Sequence, residues 1–425
     1  MQAHQALACL SAARQAASGG AGWPGWEFDA HPVALVVAEG TLLWGHPAPP
    51  AGFRPWVSPS GADDRAVPPG PLHVGPPRAD LANSVHELGG RIAATVRLED
   101  GSDALAAQRL ILHEGFHAFQ QAVRPGSGVP FGRTPHYPED DAANNALARA
   151  ENTALAGYVA GGAPAADCAA DVVVLRRARY GCLAAEWRDY EAACEWCEGG
   201  ATLAEACGYP EPARGDIVAG LRQCSRGGEG AAVRRFYHTG AALGLLCSEL
   251  LPGWQARWMA PGATPFALVE QWAAEAPGAA RVLVDVLRRF GVAELLAEET
   301  LATAARRAED ARILAGLVPA VEIDTSRVPP RGFMYDPSRL RVLGGGRRLH
   351  RGLVRQEGPG WVLEVGGTGG PVLEDLAAGR LVLRAPAGLR CAEGTGPLDL
   401  PFLRAERAEV RADGDGWRIM LHRGA

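Results

Sequence analysis

The chain has 425 residues, 47% of them hydrophobic, enough for two or three domains with sizeable cores. Its 42 basic residues, every one an arginine, are outnumbered by 48 acidic ones, and the net charge of −6 argues against a nucleic-acid partner. No run approaches the roughly 18–20 apolar residues of a membrane span, and residues 1–20 lack the charged-then-apolar order of an export signal, so a cytoplasmic protein with no membrane span is expected.

Residues 20–100 are rich in Pro, Gly and Trp, with short strand-like runs at Val33–Val37, residues 41–44 and Arg91–Arg97. Residues 102–317 carry helical patterns almost throughout. They are broken near residues 125–138, 161–164, 208–212, 227–230 and 252–265, where Gly and Pro punctuate the chain. From residue 318 onward strand-like runs return, separated by glycine pairs. The nine cysteines form an odd count without regular spacing and read as reduced, mostly buried thiols. Cys194 and Cys197 make a lone C-x-x-C, for which a redox or structural-zinc role is the alternative. The expectation is an α+β fold in three parts: an N-terminal β-containing region (1–101), a mainly helical domain (102–317) and a C-terminal β-rich domain (318–425).

The chemistry concentrates in the helical run at residues 104–121, for which Ser102 or Asp103 is the N-cap. Leu105, Leu112, Phe116 and Phe119 fall on one stripe, suited to a core. His113, His117 and Gln120 fall on the adjacent face, toward a cleft. Two histidines four apart on a helix can reach a single ion, and Glu114, about a third of a turn away, can touch a metal-bound water without being a ligand. Deprotonating such a water is the task of the general base in a zinc peptidase, so His113-Glu114-Gly115-Phe116-His117 describes a hydrolytic zinc site. The alternative is a solvated helix with two ordinary histidines.

Catalytic zinc takes three protein ligands and leaves the fourth position open. Gln120 and Val123 stand where the metzincin extension needs Gly and His, which excludes that family. Residues 186–207 supply Glu191, Glu195 and Glu198 on one helical stretch, and Glu198 is the favoured ligand because Gly199-Gly200-Ala201 lets two helices approach closely. Glu195 and Glu151 are the other candidates. Glu151 could instead accept the free N–H of a ligating histidine, or be an ordinary solvated glutamate. His136, in a proline-bounded loop, is a candidate for substrate contact or for a surface role. Residues 233–246 offer Tyr237 and His238 as donors to an oxyanion, with a packed core aromatic as the alternative for Tyr237.

His113, Glu114 and His117, taken with Glu198-Gly199-Gly200-Ala201, resemble the two metal-binding segments of bacterial zincin-like peptidases of the gluzincin type, over residues 89–250. Gly200, Thr202 and Leu203 depart from the bulkier or aromatic residues of many relatives. The resemblance implies a zincin-like fold and Zn²⁺ held by His113, His117 and Glu198. It also implies Glu114 as general base, an oxyanion donor from beyond the third ligand, and a peptide or protein substrate. It further implies an edge strand beside the active-site helix that pairs with the substrate, for which residues 91–97 are the candidate, with an ordinary sheet strand as the alternative. Two other readings of the same residues are a non-haem iron enzyme built on the same facial triad and a zincin scaffold that has lost catalysis and serves in binding.

Overall fold

A computed structural model of the chain describes residues 1–20, 23–57, 67–78, 81, 83–130, 133, 136–226, 231–276, 278–335, 339–344, 346–366 and 370–423. The expected break at residues 227–230, and part of the one at 125–138, lie outside these. The fold is α+β. It divides into two compact units, one of Met1–Pro130, Ala143–Gly227 and Ala231–Leu296, the other of Phe131–Ala142, Gly228–Gly230 and Ala297–Ala425.

The first unit opens with helix α1 (Ala3–Gly20), followed by strands β1 (Val33–Val37), β2 (Gly40–Trp44), β3 (Arg54–Pro55), β4 (Leu72–Gly75), β5 (Ser84–Leu88) and β6 (Arg91–Arg97). The strands form one sheet in the order β3-β4-β2-β1-β6-β5, with β1 and β6 parallel and the other pairs antiparallel. Every residue of β1 and β2 is buried, which is why both read as continuous apolar runs rather than alternating ones. Gly89 and Gly90, both with positive φ, close a two-residue hairpin between β5 and β6.

That hairpin corrects the edge-strand expectation. β6 hydrogen-bonds to β1 on one side and β5 on the other, so its backbone donors and acceptors are already paired and it cannot take an added strand. The edge on this side of the sheet is β5, Ser-Val-His-Glu-Leu, whose polar alternation was too short to announce a strand.

The helices that follow are α2 (Ala104–Val123), α3 (Ala142–Val159), α4 (Ala165–Cys182), α5 (Ala185–Cys194), α6 (Gly200–Gly208), α7 (Pro210–Ser225), α8 (Ala231–Leu250), α9 (Trp254–Met259), α10 (Pro265–Glu275), α11 (Leu283–Arg289) and α12 (Val292–Ala315). A π-helical turn, Glu195–Gly199, joins α5 to α6. Asp103 caps α2 by accepting the Ala106 N–H at 2.9 Å. Residues 111–116 and 118–120 of α2 are all buried. Ile111, Leu112 and Ala118 pack into a core with Leu7, Leu10, Leu35 and Val96, whereas Phe116 and Phe119 join the helical core around Leu203 and Trp258. Leu105, expected on the apolar stripe, is 39% exposed in the first turn after the N-cap. α2 thus contributes to both cores.

In the second unit, β7 (Ala320–Asp324), β8 (Gly332–Tyr335), β9 (Leu340–Gly344), β10 (Arg347–His350), β11 (Val354–Gly358), β12 (Trp361–Val365), β13 (Val372–Asp375), β14 (Arg380–Arg384), β15 (Gly394–Leu400), β16 (Leu403–Asp413) and β17 (Gly416–Leu421) form a second sheet. Its order is β8-β11-β12-β16-β17-β7-β14-β13-β10-β9, with β15 alongside β16. β7 and β14 alternate in burial and turn Val321, Ile323, Leu381 and Leu383 onto one core with Leu363 and Ile419. Among the described residues no helix is long and apolar enough to cross a membrane.

Candidate metal centre

The candidate site lies within the first unit and is assembled by close backbone approach. A Cβ on Gly199 would overlap the Gly240 Cα, and one on Gly240 would lie 2.5 Å from the Glu195 carbonyl oxygen, so the π turn and α8 touch main chain to main chain. On the other side, a Cβ on Gly200 would lie 2.9 Å from Gln120 Nε2 and 3.4 Å from Phe116, which sets α6 against α2. Gly115, inside the histidine motif, leaves room for Phe28, whose ring would be 2.8 Å from a Cβ there. The π turn itself inserts an extra residue into the helical ladder, a device that re-aims side chains and recurs at functional sites.

These contacts bring together residues 85 positions apart in sequence. Glu198 Oε2 lies 3.3 Å from His113 Nε2 and 3.3 Å from His117 Nε2, and the two Nε2 atoms are 3.0 Å apart. Behind them, His113 donates its Nδ1–H to Glu205 Oε1 at 2.7 Å, and His117 donates its Nδ1–H to Gln120 Oε1 at 2.7 Å. When the rings are neutral, both Nε2 atoms are acceptors, facing each other and a carboxylate oxygen. Three lone pairs at this separation in a buried pocket repel unless a positive charge sits among them. Donors ~2.0–2.1 Å from a tetrahedral zinc ion are separated by about 3.3 Å, so the triangle fits that ion in both spacing and chemistry.

Without an ion, protons on the two rings supply that positive charge. Burial works against charge on His113, but Glu198 and Glu205 hold its pKa up to about 9. His117 is also held well above the usual imidazole range by Cys197 and Glu198, against its burial. Burial disfavours a charged Glu198, yet His117 and His113 keep its carboxyl well below the ordinary value.

Glu114 is 5% exposed, and its Oε2 has no hydrogen-bond partner among the described residues. Burial raises its pKa, an effect that the neighbouring histidines partly offset. The Tyr237 ring stacks on His113 at 6.2 Å and 14°, and its hydroxyl feels the Glu198 carboxylate. Burial and that carboxylate push the Tyr237 pKa strongly upward, keeping the phenol protonated as a donor. His238 turns its ring onto Gly220 of α7, where no Cβ would fit, and burial lowers its pKa.

The other carboxylates considered for the third position are engaged elsewhere. Glu195 receives Arg176 at 2.6 and 2.8 Å and the Thr239 hydroxyl at 2.6 Å. Glu151 pairs with both Arg176 and Arg179, and Glu191 pairs with Arg179 at 2.6 Å and Arg235 at 2.8 Å. Cys194 and Cys197 are buried free thiols, and Cys197 Sγ lies 3.6 Å from His117 Nδ1, on the side of the ring away from Nε2. His136 is exposed.

Sequence reasoning missed Glu205 and Arg109. Glu205 accepts from Arg109 Nε at 3.1 Å as well as from His113, and Arg109 is in turn paired with Asp216. The available signal was spacing: Glu205 follows Glu198 by two helical turns and so shares its face. In comparison with known proteins, no protein-family model matches this chain, and no curated protein or solved structure matches it either.

Proposed function

We propose that this chain is a zincin-like, gluzincin-type hydrolase of peptide bonds, with His113, His117 and Glu198 as ligands to Zn²⁺. The single observation that carries the reading is the triangle of two imidazole Nε2 atoms and one carboxylate oxygen at 3.0–3.3 Å, beside a buried Glu114 whose Oε2 has no partner among the described residues. A zinc ion bound there supplies Lewis acidity, polarising a carbonyl and making a water more acidic.

The protein's own residues divide the remaining work. Glu114 takes a proton from the attacking water and passes it to the leaving amine. Its raised pKa brings it closer to the operating pH, where a general base is most effective. Tyr237, kept protonated by burial, supplies a hydrogen bond to the oxyanion. Glu205 holds the His113 ring through Nδ1 and leaves Nε2 free. Nine free cysteines fit a reducing, cytoplasmic setting.

An unpaired buried carboxylate also favours catalysis over a purely structural metal, which has no use for a base. The test is metal analysis of protein purified without added metal, followed by digestion of a peptide library by wild type and Glu114→Gln. The expected result is about one zinc per chain in both proteins and cleavage by the wild type alone. Normal turnover by Glu114→Gln removes the mechanism, and iron in place of zinc transfers the site to oxidative chemistry.

A further inference from the structure

We infer that Gln120 is a positioning residue whose one carboxamide both sets the proton on His117 and holds the π turn that carries Glu198. The inference rests on the metal-site reading above. Gln120 is 2% exposed, so each of its polar atoms needs a partner within the protein. Nε2 donates to the Trp196 carbonyl at 2.9 Å and to the Cys197 carbonyl at 3.1 Å, both in the π turn. An amide oxygen in that position would face two carbonyl oxygens, so the orientation of the group is decided by the turn.

With the two N–H groups committed, Oε1 must point the other way, where it accepts the His117 Nδ1–H at 2.7 Å. That bond fixes the tautomer and presents the Nε2 lone pair toward His113 and Glu198. Gln120 is thereby a strap between the two ligand-bearing elements: α2 carries His117, and the π turn carries Glu198. A stretch of helix next to the motif and a turn far along the chain are brought into one register by three hydrogen bonds from one side chain. Gly200 completes the arrangement, since any Cβ there would press on Gln120 Nε2.

The test uses the full chain as wild type, Gln120→Met and Gly200→Ala. Met matches the length of Gln without its donors and acceptor, and Gly200→Ala crowds the amide without altering Gln120 or any ligand. Zn²⁺ and Co²⁺ affinities are measured by chelator competition, with the Co²⁺ absorption spectrum and the melting temperature of each metal-free protein. Gln120→Met is expected to bind both ions roughly 10–100-fold more weakly with an altered Co²⁺ spectrum, and Gly200→Ala is expected to move both in the same direction. A residue that only fills space would change the metal-free melting temperature and leave affinity and spectrum alone. If the wild type binds the ions and both variants bind them equally well with an unchanged spectrum, the Gln120 assignment is overturned by itself. If the wild type binds neither ion, the metal reading falls and takes the assignment with it.

Discussion

Two buried polar clusters share the π turn, and they differ in what balances their carboxylates. On the side of Glu195, three glutamates meet three arginines, and Glu151, Glu191 and Glu195 are each paired with at least one guanidinium. On the side of Glu198, two imidazoles face a carboxylate with no arginine among these three groups. The first cluster carries its own counter-charges and has no need of a ligand. The second has only protons on its histidines to balance its carboxylate, or, on the proposal above, a bound cation. Three positions along the turn therefore separate an arginine-balanced ion network from a candidate metal centre, and the source of the counter-charge, not burial, distinguishes them.

The contrast can be broken most directly at Glu198. Glu198→Gln is expected to weaken Zn²⁺ binding by more than the ~10–100-fold that residues behind a ligand command, while the metal-free protein melts no lower than wild type. A large loss of metal-free stability would make Glu198 part of the structural network instead. The reciprocal change, Arg179→Met, leaves Glu191 with Arg235 alone and Glu151 with Arg176 alone, and is expected to cost about 3–5 kcal/mol in urea unfolding of the metal-free protein. If stability is unchanged, the arginine network is not what holds these helices together.

Tyr237→Phe sharpens the catalytic side, since loss of one oxyanion donor lowers kcat by roughly 10²–10³-fold. His238→Ala, whose ring rests on Gly220, should leave kcat within a few-fold of wild type. Kinetics of the two variants on one peptide separate the candidates, and the reverse ranking would make His238 the donor. The smallest expected effect is on acid stability. Burial opposes ionisation of Glu191, but Arg179 and Arg235 hold its pKa down to about 2 from an ordinary 4.5. A carboxyl lowered on folding contributes stability that is fully present above pH 4.5 and lost as pH falls through about 2. Urea unfolding between these limits should show that slope in wild type and a shallower one in Glu191→Gln.

Much of the layout was legible in local pattern. The strands Val33–Val37 and Arg91–Arg97 have the bounds their apolar runs announced, and α2 begins on its Asp103 cap. The triple Gly199-Gly200-Ala201 was read as permission for close approach, and Gly199 and Gly200 each lie against another helix. What escaped was pairing. β6 was legible as a strand but not as an interior one, because its neighbour β5 is short and polar and is recruited through a glycine turn. Glu205 and Gln120 were visible only as polar residues on the right helical faces, and nothing local says that each meets an imidazole.

Taken alone, the sequence determined that His113 and His117 share one face, that Glu114 sits beside them, and that helices give way to strands near residue 318, because these depend on periodicities of a few residues. It left Glu151, Glu195 and Glu198 in competition for one role. Tertiary structure brings Glu198, and neither of the other two, against both histidines. Arginines from α4 and α8 claim the Glu191 and Glu195 face, and the π turn underwinds the helix so that Glu198 is carried away from it to the histidines of α2. A helical repeat can place a carboxylate on a face, but which charge waits opposite is settled only when distant helices pack.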